Sequence, residues 1–169
     1  MRLKRNFFNR DTVIVAQDLL GKYLIRKIGN QIERAKITET EAYCGPNDLA
    51  CHASRGMTPR TKVMFGPPGH AYVYLVYGMY HCLNIVTERE GYPAAVLIRA
   101  VELNEMNGPG KLCRGLKIDK TLNGTDICAS KELWLEDGED IPKNKIKKSK
   151  RIGVDYAGKW KDKLWRFYL

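Results

Sequence analysis

The stretch ITETEAY, residues 37–43, sets two carboxylates, Glu39 and Glu41, two positions apart and ends on Tyr43. A carboxylate at a strand end beside a functional loop can act as a general base. Two like charges on one face push the pKa of one of them up. His52 follows in the next loop, and Tyr74 and Tyr77 stand on the segment after it. An acid beside an imidazole and several phenol rings suits a flat heteroaromatic ligand such as a nucleobase. Each residue also has an ordinary reading. Acids occur where strands reach a sheet edge, lone histidines sit on surfaces, and tyrosines cover cores. The pattern alone leaves both readings open. Cys44, Cys51 and His52 lie close in sequence but match no standard zinc spacing, so no metal is expected.

The elements around these residues follow from periodicity and turn chemistry. Asp11 or Thr12 caps a short helix, VIVAQDLL, that Gly21 ends. KYLIRKI reads as a strand, Gly29-Asn30 as a hairpin turn, and QIERAKITETEAY as the partner strand. Strict alternation places Ala35, Ile37, Glu39, Glu41 and Tyr43 on one face, and Lys36, Thr38, Thr40 and Ala42 on the other. Residues 44–70 are rich in Gly and Pro and form a long loop of the kind that usually carries function. AYVYLVYGMYHCLNIV alternates on both sides of Gly78 and reads as a β-hairpin. Its tip lies near Tyr77-Gly78-Met79, where a bulky ring has little core to enter and can insert into a partner instead. PAAVLIRAVEL is a buried strand, GPGKLCRGL opens a short helix, ELWLED is a strand, and the tail YAGKWKDKLWRFYL docks as an edge strand or loop. Strands joined by hairpins outnumber helices, so the class is α+β with a mainly antiparallel sheet, in one domain over residues 1–169.

The chain carries a formal net charge of +10, an excess that suits nucleic acid as a partner and, less often, an anionic membrane or acidic protein. The run at 143–151 holds Lys143, Lys145, Lys147, Lys148, Lys150 and Arg151 and reads as a solvated segment able to add phosphate contacts. No uncharged apolar run is long enough for a membrane span, and the basic N-terminus has no apolar core of a secretory signal. Five cysteines without a C-x-x-C pair point to free thiols in a reducing compartment. The expectation is an intracellular protein: cytoplasm or nucleoid in a prokaryote, nucleus in a eukaryote.

The segments AQDLLGK, ETEAYCGPNDLACHASRGMTPR, MFGPPGHAYVYLVYGMYHCLNIV, AVLIRAVE, GPGKLCRGL and RIGVDYAGKW…WRFY occur in this order across nearly the whole chain. Together they resemble the alkyladenine (3-methylpurine) DNA glycosylase family. That resemblance implies a monofunctional glycosylase that flips an alkylated or deaminated purine out of duplex DNA and hydrolyses its N-glycosidic bond. It implies a curved antiparallel sheet with helices around it and a protruding hairpin, a monomer, no membrane association and no cofactor. By motif, Glu41 resembles the residue that activates water, and Arg99 one that holds the flipped nucleotide and positions the water. Tyr43 and His52 resemble the pair that sandwiches the base, and Tyr74 the residue stacking at its edge. Asn84 resembles the residue that disfavours the 2-amino group of guanine, and Tyr77 the wedge that fills the vacated stack. The chain departs from the family pattern at LNEMN, residues 103–107, where a longer and often helical connection is usual. Two other classes compete with this reading: a nucleic-acid-binding module without activity, and a hydrolase of free nucleosides.

Overall fold

The computed structural model describes all 169 residues. Two short helices lead into the sheet, α1 (Arg5–Phe8) and α2 (Thr12–Asp18). The side chain of Asp11 accepts from Ile14 N at the start of α2, so of the two capping candidates Asp11 is the cap. The chain then turns through Gly21, whose φ of +83° suits glycine, into β1 (Tyr23–Ile28). β1 pairs antiparallel with β2 (Gln31–Tyr43) in the expected hairpin register, Ile28 opposite Gln31. The long loop follows and contains two single 3-10 turns, His52–Arg55 and Lys62–Phe65. β3 (Ala71–Val76) and β4 (Tyr80–Val86) form the expected hairpin, and β5 (Ala95–Glu102) the buried strand after it. α3 (Pro109–Gly115) starts with Pro at its first position, where no N–H is needed. β6 (Leu133–Glu136), β7 (Lys147–Ser149) and β8 (Arg166–Tyr168) complete a sheet in the order β3-β4-β5-β2-β1-β6, with β8 bridging β2 and β7. The fold is α+β with a curved antiparallel sheet.

β2 is the spine of this sheet. One edge pairs with β5, and the other pairs first with β1 and then, past residue 37, with β8. The exchange of partners coincides with a β-bulge between Ile37 and Thr40. Here the expectation of strict alternation fails. Ala35, Ile37 and Ala42 all lie in the same helix-facing core, and buried Thr40 donates from Oγ1 to Ala16 O of α2. An unbroken strand cannot place both odd and even positions there. The bulge reverses the alternation, so Glu39, Glu41 and Tyr43 do not continue the face of Ala35 and Ile37. They point to the opposite side of the sheet.

The other strands keep period two and separate the same two sides. Ala71 and Val73, Leu83 and Ile85, Val96 and Ile98 enter the main core with residues of α2 and α3. Tyr72 and Tyr74, Cys82 and Asn84, Leu97 and Arg99 alternate with them and line the cleft side. The connection 103–107 is a tight turn. Asn104 and Glu105 take positive φ (44° and 57°), Met106 N donates to Leu103 O, and the Met106 side chain is buried. The lysines of the basic run 143–151 are exposed as expected, but its backbone is part of the fold and Arg151 is not solvated. Lys143 pairs with Asp18, Lys150 with Asp162, residues 147–149 form a strand, and Arg151 is buried. None of the helices is long and apolar enough to cross a membrane.

Candidate active site

Glu41 has no solvent exposure and lies behind three groups that line the cleft, Tyr43, Arg99 and Ile152. Three donors converge on it. Tyr43 Oη donates to Oε2 at 2.7 Å, Ile152 N donates to Oε1 at 2.8 Å, and Arg99 Nη1 stands 3.5 Å from Oε1. Burial raises the pKa of Glu41, and the Arg99 charge, the Ile152 N–H and the Tyr43 hydroxyl act against that rise. Arg99 also donates through Nε to Glu39 Oε1 at 3.0 Å, with Arg166 on the same carboxylate. Glu39 therefore fixes the guanidinium that faces Glu41. Burial, and then the neighbouring carboxylate, push the Tyr43 hydroxyl far above its ordinary value, so it stays a donor.

An aromatic wall rises beside this acid. The rings of His52 and Tyr74 meet edge to face with centroids 4.4 Å apart, and Tyr72 lies 5.3 Å from Tyr74. His52 Nδ1 is 3.1 Å from the hydroxyl of Tyr72. Burial lowers the pKa of His52 to about 4, so the ring is neutral at pH 7. Asn84, buried beneath the wall, donates from Nδ2 to Tyr72 O. Tyr43, His52, Tyr74 and Asn84 all line one cavity of only about 10 Å³, room for a single water. It opens into a cleft of about 460 Å³ that Arg99, Ile152 and Tyr77 also border. Cys44, Cys51 and His52 do not converge into a group that could hold a metal ion.

Tyr77 is 85% exposed at the tip of the β3–β4 hairpin. Its φ is +53° and that of Gly78 is +66°, the two positive values that tight hairpin turns demand. The tyrosine thus takes a left-handed conformation that costs a residue with a Cβ about 1–2 kcal/mol. Of the seven residues singled out from the sequence, Tyr43, His52, Tyr74, Tyr77, Asn84 and Arg99 border this cavity and cleft, and Glu41 lies buried behind them, bonded to Tyr43.

A model of the family described as methylpurine-DNA glycosylase matches residues 6–169. The chain belongs to the methylpurine-DNA glycosylase family. A relative from Methanocella arvoryzae named "Putative 3-methyladenine DNA glycosylase" is 54% identical over 184 residues, covering 98% of this chain and 91% of that protein. A relative of the same name from Legionella pneumophila strain Lens is 49% identical over 173 residues, covering 99% of this chain and 94% of its own length. One from Desulfitobacterium hafniense, again so named, is 47% identical over 194 residues, covering 99% and 95%.

Several groups that shape this glycosylase-family cleft escaped the sequence reading. Asp48 and Arg151 form a fully buried bidentate pair, Nη1 to Oδ2 at 2.6 Å and Nη2 to Oδ1 at 2.9 Å. Asp48 also accepts from Cys44 N and Ala50 N, while Arg151 donates to Ala42 O and Trp160 O and lies over the Tyr43 ring. This cluster ties the start of the long loop to the C-terminal segment and so brings Ile152 N to Glu41. Arg151 belongs in sequence to the basic run, which is expected to be solvated. Its sequence neighbours are lysines, and its partner lies 103 positions away, so nothing local distinguishes it. Tyr72 had the signal of alternation with Tyr74 on β3.

Proposed function

We propose that this chain hydrolyses the N-glycosidic bond of alkylated purines, 3-methyladenine first among them, after the nucleotide has turned out of duplex DNA. The observation that carries the reading is Glu41: a buried carboxylate held by Tyr43, Ile152 N and Arg99, three groups that line an aromatic cleft. The family match and the names of the relatives support it. As the C1′–N bond breaks, its electron pair goes to the departing base and positive charge develops on the sugar. Glu41 stabilises that charge and takes a proton from the water whose oxygen bonds to C1′. Arg99 favours the ionised form against the cost of burial. A 3-alkylated purine is cationic and leaves as a neutral base. The same site extends to deaminated purines such as hypoxanthine, which are neutral, leave with the bond's electron pair as an anion that takes up a proton from solvent, and so depend more on the pocket. With water as nucleophile, the product is an abasic site in an unbroken strand.

Tyr43 and His52 flank the base in this scheme, Tyr74 packs at its edge, and Asn84 sits where the 2-amino group of guanine would press. A base is about 3.5 Å thick, and the cavity beside His52 holds only a water. Binding therefore moves His52, Tyr74 or both, at a cost common to every base. Tyr77 enters the stack from which the base has left. The protein acts on DNA as one domain and a monomer.

The test uses duplexes bearing a single 3-methyladenine, 7-methylguanine, hypoxanthine or ethenoadenine, scored for abasic sites and for strand breaks. Abasic sites without breaks are expected, on 3-methyladenine most of all. Binding to lesion duplex with no base release would mean a binding module instead. Release from free nucleosides as fast as from duplex would mean a nucleoside hydrolase.

A further inference from the structure

Arg60 occupies a place that neither the acid nor the aromatic wall explains. Its guanidinium carbon lies 5.2 Å from the centroid of the Tyr74 ring. Arg60 borders the cleft shared with Arg99 and Tyr77, and also an adjoining cavity on the far side of His52. The arginines on the Glu41 side of the cleft are neutralised: Arg99 and Arg166 by Glu39, Arg99 again by Glu41, and Arg151 by Asp48. Arg60 takes part in none of these pairs and is exposed. An unpaired positive charge therefore lies against the Tyr74 ring, which the proposed base pocket sets at the edge of its ligand.

Cation–π attraction favours a cationic ring on an electron-rich tyrosine. Here a cation of the protein itself already holds Tyr74. A second positive charge brought into the same pocket meets repulsion from the first, and that repulsion grows as DNA displaces water and the local dielectric falls. A neutral base meets no such opposition. We propose that Arg60 sets the charge selectivity of the pocket, lowering the advantage of cationic alkylpurines and so widening the range toward neutral lesions. The inference rests on the base pocket proposed above. The influence of Arg60 on neighbouring groups agrees in sign: its charge opposes protonation of His52 and favours ionisation of Tyr72.

Single-turnover base release at subsaturating enzyme, where the rate is counted from free enzyme and duplex, includes the cost of bringing each base into the pocket, and the ratio of cationic to neutral lesions cancels any contribution of Arg60 to DNA affinity. Wild type, Arg60→Gln and Arg60→Lys are compared on duplexes with 3-methyladenine or 7-methylguanine, which are cationic, and with hypoxanthine or ethenoadenine, which are neutral. Arg60→Gln should release the cationic bases faster than wild type, by about fivefold, the scale of one exposed cation–π contact. Release of the neutral bases should not rise. Arg60→Lys, which keeps the charge, should restore the wild-type pattern. Unchanged or slower release of the cationic bases by Arg60→Gln overturns the inference, and equal slowing on all four duplexes identifies Arg60 as a positioning contact to the DNA backbone. Tyr43→Ala and His52→Ala, run alongside, separate the two levels of the argument. If they keep full lesion discrimination, the pocket itself is misplaced. If they lose it while Arg60→Gln changes nothing, only the role of Arg60 fails.

Discussion

Glu41 sits where a carboxylate is costly, and that cost is measurable. Its folded pKa is raised, so its contribution to stability is fully present below the unfolded value and is lost as pH rises through the folded value. Glu41→Gln keeps the shape and removes the charge. The variant should be at least as stable as wild type at pH 8, with the difference in Tm shrinking toward pH 4, while base release falls about a hundredfold or more. Thermal melts across pH, paired with single-turnover assays, check both halves, and a variant that releases bases at near-normal rates removes Glu41 from the chemistry. His52 has the opposite sign. Its pKa is lowered from 6.5 to about 4, so the stability it confers is complete above pH 6.5 and declines as pH falls toward 4. His52→Asn should flatten that part of the stability profile, and NMR titration of the ring should show no midpoint near 6.5. The types of these residues were legible in the sequence, and so was their proximity. Their partners were not, because Ile152 and Tyr72 reach Glu41 and His52 from positions 111 and 20 residues away.

At the scale of elements, hairpins and helices were readable because local signals specify them: a cap at Asp11, a turn at Gly29, alternation along β3 and β4. The bulge in β2 was not readable. It arises where β1 gives way to β8 as the neighbouring strand, an event set by a segment more than 120 residues later in the chain. Without it, Glu41 would face the helices and no cleft could receive it. The Asp48–Arg151 pair holds the other side of that cleft. Asp48→Asn leaves a guanidinium buried without its counter-charge and should cost about 3–5 kcal/mol, read from denaturant unfolding. A loss under 1 kcal/mol would show that the loop does not depend on the pair. The hairpin tip separates strain from function. Tyr77→Gly relieves the left-handed backbone, whereas Tyr77→Ala keeps it, so the glycine variant should be the more stable of the two. Both lack the ring, and both should flip a well-paired lesion less fully than wild type, as reported by 2-aminopurine fluorescence beside the lesion. Full flipping by either would return Tyr77 to a packing role.

Across the whole molecule, a formal charge of +10 pointed to nucleic acid, but composition cannot say which cations are free to meet it. The dense run at 143–151 looked the most basic, yet three of its members are paired to Asp18, Asp162 and Asp48, and none of residues 143–150 borders the cleft. The cations around the cleft are scattered in sequence. Arg55 lies beyond His52, and Lys111 lies across the groove from Tyr77, each without a carboxylate partner. A duplex entered by the Tyr77 ring must pass between these two sides, so its phosphates meet Arg55 and Lys111 before they meet the distant run. Log affinity for undamaged duplex should fall linearly with log salt, and Arg55→Gln and Lys111→Gln should each reduce the slope by about 0.9. Doubly substituted Lys147→Gln, Lys148→Gln should bind with nearly the wild-type slope, although it removes twice the charge of either single change. If the double variant instead loses as much slope as the two cleft variants together, the DNA runs over β7. In that case the partner is guided by net charge rather than by the cleft, and Tyr77 cannot be its point of entry.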